Sequence, residues 1–205
     1  MRRHYGCGLS TGEGWFNCDA SPTLRLQRLP VLGGLFQKCM PPLFPPDVHY
    51  GDIVRGMDIA PDSCDLVFCS HVLEHLALED LRAALQNTRR YLKPGGTFRL
   101  VLPDFERLIA AYQADPRVNA VSEFMTYSHL GRQQRPKGLM GFLRANLGNS
   151  QHLWMWDEKG LAQELKDAGF VSIRRCYYGD SDDPAFLAVE SADRFVDSLG
   201  FDCRK

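Results

Sequence analysis

Residues 4–19 read HYGCGLSTGEGWFNCD, with glycines at positions 6, 8, 12 and 14 and a carboxylate closing the stretch. Glycines at that density let main chain come very close to something else. In a dinucleotide-binding turn such glycines open a helix, and an acid follows about 20 residues later. Here Gly8 and Asp19 are much closer, and the residues from Leu9 to Gly14 are too few and too glycine-rich for a normal helix. The turn therefore runs directly into the next strand, without the helix N-terminus that holds a pyrophosphate. A bare main-chain cradle beside a carboxylate suits a nucleoside without phosphates, Asp19 accepting hydrogen bonds from two ribose hydroxyls. Taken alone, the stretch is equally readable as a glycine-rich surface loop with Asp19 as a turn residue.

A second set of chemistry-bearing residues is histidine: His71, His75, His129 and His152. HVLEH (His71 to His75) matches the H-x-x-E-H pattern of inverted zinc peptidases. Zinc there needs both histidines on one helical face and a third ligand. His71 instead follows directly on the apolar run CDLVFCS, and helical periodicity starts only near Leu76. A zinc hydrolase is therefore the remote alternative, and the expectation is no metal.

The elements that must position these groups follow from periodicity. HYGC, WFNCD, VHYGDI, CDLVFCS, TFRLVL, FVSIRRCYY and AFLAVE are short apolar runs that read as strands. Leu81, Ala84, Leu85, Thr88 and Leu92 give an amphipathic helix over 76–92, stopped by KPGG. Asp104 caps a helix whose buried face is Phe105, Leu108, Ile109 and Tyr112, and Asp157 caps another with a Leu161/Leu165/Ala168 face. GDSDDP reads as the turn of a closing hairpin between the last two strands. Strands alternating with helices predict an α/β fold: a Rossmann-like, mostly parallel, seven-stranded sheet with helices on both faces, a shortened first helix and a C-terminal antiparallel hairpin. Ligands of such sheets sit at the carboxyl ends of the strands. The 205 residues suit a single domain, 1–205, with a lid-like insertion at about 115–151 that is polar and basic in its middle.

Three blocks in this order resemble the class I S-adenosylmethionine-dependent methyltransferases: GCG…GWFNCD, GDI…CDLVFCSHVLEHL and LKPGGTFRLVLPD. With HLWMWDEKGLAQELKDAGF they are similar to a short bacterial group of predicted methyltransferases of the type 11 kind. That group is associated with surface-polysaccharide or secondary-metabolite genes. The resemblance implies S-adenosyl-L-methionine as cofactor. Gly6, Cys7 and Gly8 would approach its methionine part, Asp19 and Ala20 its ribose, and Asp52 and Ile53 its adenine. Ser70 and His71 would lie near the sulfonium. Glu74 and His75 would be structural, bonding neighbouring loops. Relatives usually carry an acid just before the glycine motif, where this chain has His4 and Tyr5.

Methyl transfer is an in-line displacement from an excellent leaving group, so alignment supplies most of the catalysis. A base is needed when the acceptor is a hydroxyl. His71 and His152 are the candidate catalytic residues, as base or as acceptor contacts. Trp154 and Trp156 read as core more readily than as a stacking surface. Arg132, Arg135 and Lys137 read as a solvated loop or as an attraction for an anionic acceptor. The reading is O-methylation of a small-molecule or glycan-precursor acceptor. Alternatives are an inactive cofactor-fold scaffold and an NAD-dependent enzyme, the latter opposed by the missing helix.

Composition sets the outer limits. A net charge of −1 with 24% charged residues gives no nucleic-acid or membrane surface. No apolar run approaches the roughly 20 residues of a membrane span. Seven cysteines without a CxxC pair and no signal peptide read as reduced cytoplasmic thiols. A homodimer is compatible with all of this.

Overall fold

Apolar runs too short for helices become the inner strands of one sheet. The structure, a computed structural model, describes residues 1–31, 33–39, 41–135, 137–138 and 151–205. The strands are β1 (Arg2–Tyr5), β2 (Phe16–Asp19), β3 (His49–Tyr50), β4 (Cys64–Ser70), β5 (Leu92–Pro103), β6 (Val171–Cys176) and β7 (Ser198–Arg204). Their order is β3-β2-β1-β4-β5-β7-β6. Strands β1 to β5 pair in parallel, while β7 pairs antiparallel with both β5 and β6.

The helices are α1 (Pro22–Gln27), α2 (Gly33–Cys39), α3 (Leu78–Tyr91), α4 (Phe105–Ala114), α5 (Ala120–Tyr127) and α6 (Glu158–Asp167). One sheet face (Tyr5, Cys18, Val67, Cys69, Phe98, Leu100) packs against α3 through Leu81, Ala84 and Leu85 and against α6 through Leu161 and Leu165. Each of these fully buried leucines contributes about 2 kcal/mol by leaving water. The other face, lined by Leu66, Phe68 and Val101, is covered by Trp15 and by Phe186, Val189 and Phe195. Phe186 and Phe195 lie on two 3-10 turns, Pro184–Ala188 and Ala192–Phe195. Asp104 accepts from the Glu106 and Arg107 amides, and Asp157 accepts from Gly160, so both predicted caps form.

Three expectations are corrected. AFLAVE is not a strand. Its first four residues lie in the 3-10 turn Pro184–Ala188, where Asp183 caps the Ala185 amide and Phe186 is buried against Phe68. The second arm of the closing hairpin is β7, reached by a long connection instead of the GDSDDP turn. On α4 only Leu108 is fully buried, and Tyr112 is exposed. The insertion expected at about 115–151 contains α5 and ends on Gln151, but 136 and 139–150 lie outside the described residues. Among the described residues no helix is long and apolar enough to cross a membrane.

Candidate functional site

Because β1 to β4 run parallel, their carboxyl ends bring Gly6–Gly8, Asp19–Ala20, Asp52–Ile53 and Ser70–His71 to one edge of the sheet. No helix intervenes between β1 and β2, as the short glycine-rich spacing requires. Buried Asn17 organises the intervening loop, accepting from the Gly12 amide and donating to the Gly12 and Trp15 carbonyls.

The glycines of the opening stretch differ in purpose. A Cβ on Gly6 would stand 2.2 Å from Cγ2 of Val72, and one on Gly12 would stand 2.3 Å from Cγ1 of Val189. Those two are glycine because the protein's own side chains fill the space. Gly8 is different. It has a φ of +57° and nothing within 4 Å of the Cβ position, so its main chain faces open space. Its amide donates to Oδ2 of Asp19 at 2.9 Å, and the Ser21 amide donates to Oδ1 at 2.7 Å. Asp19 is thus aimed by two main-chain amides, and a carboxylate has about four acceptor positions, so outward lone pairs remain. Ala20 follows it, half-buried. The Cys7 amide donates to the Cys18 carbonyl, closing β1 onto β2. Burial pushes the Cys7 thiol up, so it is no nucleophile.

Beyond β3, Asp52 accepts from the amides of Val54 and Arg55 and orders its own turn. Ile53 is buried, and its carbonyl receives Nδ2 of Asn87 at 2.8 Å. At the end of β4, the Ser70 hydroxyl is buried and without a hydrogen-bond partner among the described residues. His71 follows with a φ of +55°, uncommon for a residue with a side chain. Its amide donates to the Val101 carbonyl, and Nε2 donates to the Arg194 carbonyl at 2.9 Å. His71 therefore fastens the end of β4 to β5 and to the segment 192–195.

The far segment returns to the same place. The Leu153 and Trp154 amides donate to the Glu74 carbonyl, and Nδ1 of His75 donates to the Gln151 carbonyl. His152 is thereby seated between His75 and His129, with ring centroids 4.8 and 5.0 Å away. Burial, aided by His75 and His129 against the pull of Glu74, lowers His152 to about 4. Its ring is neutral at neutral pH. Trp156 is core, bridged to Asp104, whereas Trp154 is exposed. Asp104 is occupied by its helix cap and by Arg175, 3.0 Å away. Arg132 donates to the Gln151 side chain at 2.6 Å; Arg135 and Lys137 are exposed.

The structure thus brings His71, Glu74, His75 and His152 together. The expectation that His75 bonds a neighbouring loop holds for its Nδ1, but the Glu74 side chain bonds none, because only its carbonyl meets the incoming loop. HVLEH was the signal in the sequence. What periodicity could not supply was the 3-10 turn Leu73–His75, which sets Glu74 inward beside His75. A polar cavity of about 480 Å³ lies at the opposite sheet edge, beside Asp65, Lys93 and Arg204, away from all these residues.

The family model of the methyltransferase domain matches residues 27–174, well over half of the chain. No curated protein matches the sequence. The chain is similar to a SAM-dependent methyltransferase from Archaeoglobus fulgidus, with 14% identity and a TM-score of 0.53 over 100% of this chain and 85% of the other. It is likewise similar to an S-adenosylmethionine-dependent methyltransferase from Mesorhizobium loti, with 14% identity and a TM-score of 0.50 over 100% of this chain and 90% of the other.

Proposed function

The chain belongs to the methyltransferase-domain family and carries the Rossmann-like fold of S-adenosylmethionine-dependent methyltransferases; on that premise we propose that it methylates an oxygen of a small-molecule or glycan-precursor acceptor. The observation that carries the reading is the carboxylate at the tip of β2. Asp19 is held by the Gly8 and Ser21 amides and keeps outward lone pairs for a vicinal diol. The Ser70 hydroxyl at the tip of β4, without a partner among the described residues, is a further polar atom that a bound cofactor would satisfy. S-adenosylmethionine supplies an activated methyl group on a sulfonium. This chain's part is to hold donor and acceptor in line, which can lower the barrier by several kcal/mol.

In this reading Gly6, Cys7 and Gly8 line the methionine end, Asp19 and Ala20 the ribose, Asp52 and Ile53 the adenine, and Ser70 the reacting centre. Gly8 offers the open backbone, while Gly6 serves by admitting Val72. An oxygen acceptor is favoured because imidazoles gather at the end of β4, where a hydroxyl proton needs a recipient. His71 and His152 are the residues assigned to the acceptor side. The segment at about 115–151 is assigned as its lid, with Arg132, Arg135 and Lys137 drawing in an acidic acceptor. The protein is assigned to the cytoplasm.

Asp19→Ala removes the ribose contact. Calorimetric titration with S-adenosylmethionine is expected to show binding weakened roughly tenfold or more, in a variant whose circular dichroism is unchanged. Affinity equal to that of the unmodified protein would remove Asp19 from the site.

A further inference from the structure

Glu74 is wholly buried, and among the described residues neither of its carboxylate oxygens is hydrogen-bonded. A carboxylate taken out of water without donors is costly unless a cation compensates it. Imidazole nitrogens surround it instead. Nδ1 of His71 is 3.4 Å from Oε1, and Nε2 of His75 and Nε2 of His152 are each 4.0 Å from the same oxygen.

The far nitrogens of two of these rings decide their tautomers. Nδ1 of His75 is 2.9 Å from the Gln151 carbonyl, and Nε2 of His71 is 2.9 Å from the Arg194 carbonyl. A carbonyl only accepts, so those nitrogens carry the hydrogens, and the tautomer that ligates a metal would turn the lone pair of each ring's other nitrogen toward Glu74. Lone pairs converging on a carboxylate repel one another, and a positive charge belongs among them. The donor atoms of Glu74, His75 and His152 all lie within 4.8 Å of one another. Donors at about 2.1 Å from a tetrahedral ion stand about 3.4 Å apart, so small adjustments close this set on an ion. An outward N–H donating to a main-chain carbonyl, as His75 has, is also how metal-bound imidazoles are oriented.

We propose that Glu74, His75 and His152 bind one divalent first-row transition-metal ion. Two imidazoles and one carboxylate suit zinc or its neighbours in that row better than calcium or magnesium, which favour all-oxygen sites. Three protein ligands leave a coordination position open. The site does not depend on methyl transfer. Its use does rest on that reading: beside His71, the open position would receive an acceptor oxygen and ease its deprotonation. The assignment reverses the sequence expectation of no metal. It differs from the inverted-peptidase arrangement, because Glu74 is itself a ligand and the third donor comes from residue 152.

The competing occupant is a proton shared among the rings, and the competing ligands are the buried thiols. The full chain is stripped with a chelator, dialysed and titrated with Zn²⁺ alone while bound metal is counted by mass spectrometry. One equivalent per chain is expected, with a Kd of about 1 μM or tighter, weakened roughly tenfold or more in both E74Q and H152A. No stoichiometric uptake by the unmodified protein, or unchanged uptake in either variant, overturns the proposal. Should a variant fail to fold, X-ray absorption of the zinc-loaded unmodified protein decides: nitrogen and oxygen neighbours with imidazole scattering support the site, and a sulfur shell overturns it. S-adenosylmethionine binding is titrated separately on the metal-free protein. Its failure would remove the methyl-transfer reading and leave the metal site standing.

Discussion

His4, just before the glycine motif, is only 3% exposed, and its ring lies 5.3 Å from that of Phe68. Burial lowers its pKa to about 4, with Asn17 opposing and Arg194 adding to the shift. The unfolded value is about 6.5. Between pH 6.5 and 4 the unfolded chain therefore binds more protons than the folded one. Stability falls as pH falls through that window and is not reduced by this group above it. The loss approaches about 3 kcal/mol near pH 4. Urea unfolding at pH 7 and pH 4.5 is expected to show a smaller drop in His4→Gln than in the unmodified protein; equal drops would acquit His4. At this scale Asp19 was legible, because a carboxylate eleven residues beyond Gly8 has a geometric meaning that a strand end fulfils. Glu74 was not. Its neighbour His75 has the same local sequence, and only the return of the chain at 151–154 determines which of the two is left without donors.

Among the elements, the β1 turn and the 3-10 turn Leu73–His75 are locked together through Gly6 and Val72. Gly6→Ala combines a left-handed φ of +63° with a methyl placed 2.2 Å from Val72. Backbone strain and overpacking together cost about 2–4 kcal/mol. A double-mutant cycle with Val72→Ala separates them. The pair is expected to recover the packing share and not the strain, and strictly additive losses would refute the contact. Long periodic elements were readable beforehand: α3 and α6 bury the leucines their spacing marks, and β4 occupies the run CDLVFCS. AFLAVE was not, since its apolar residues satisfy a 3-10 turn against Phe68 as well as they would a strand. An apolar run of that length has no period of its own, so a neighbouring cavity decides.

A buried cation ties the last elements of the molecule together. Arg99 of β5 is fully buried and binds Glu190, Asp180 and Asp202, donating also to the Tyr177 carbonyl at 2.6 Å, and Arg174 joins Asp180 and Asp202 from outside. Arg99 thereby ties the connection 177–197 and β7 to the centre of the sheet. Arg99→Leu leaves buried Glu190 without its cation, while Asp202 keeps Arg174 at 2.6 Å, and removing one partner of a buried pair typically costs about 3–5 kcal/mol. Denaturant titration should show that loss, and adding Glu190→Gln and Asp202→Asn should return part of it. A near-neutral Arg99→Leu would mean that the network contributes nothing. This network was invisible in the sequence because Glu190 and Asp202 lie 91 and 103 residues from Arg99.

The position of β7 between β5 and β6 also governs when the protein can form. β6 has no other partner in the sheet, and β5 lacks one on that side until residues 198–204 arrive. A ribosome-bound chain ending before them presents a bare apolar strand edge of the kind that invites association with other chains. That edge of β5 is consequently open to misassembly from the time it emerges until β7 fills it.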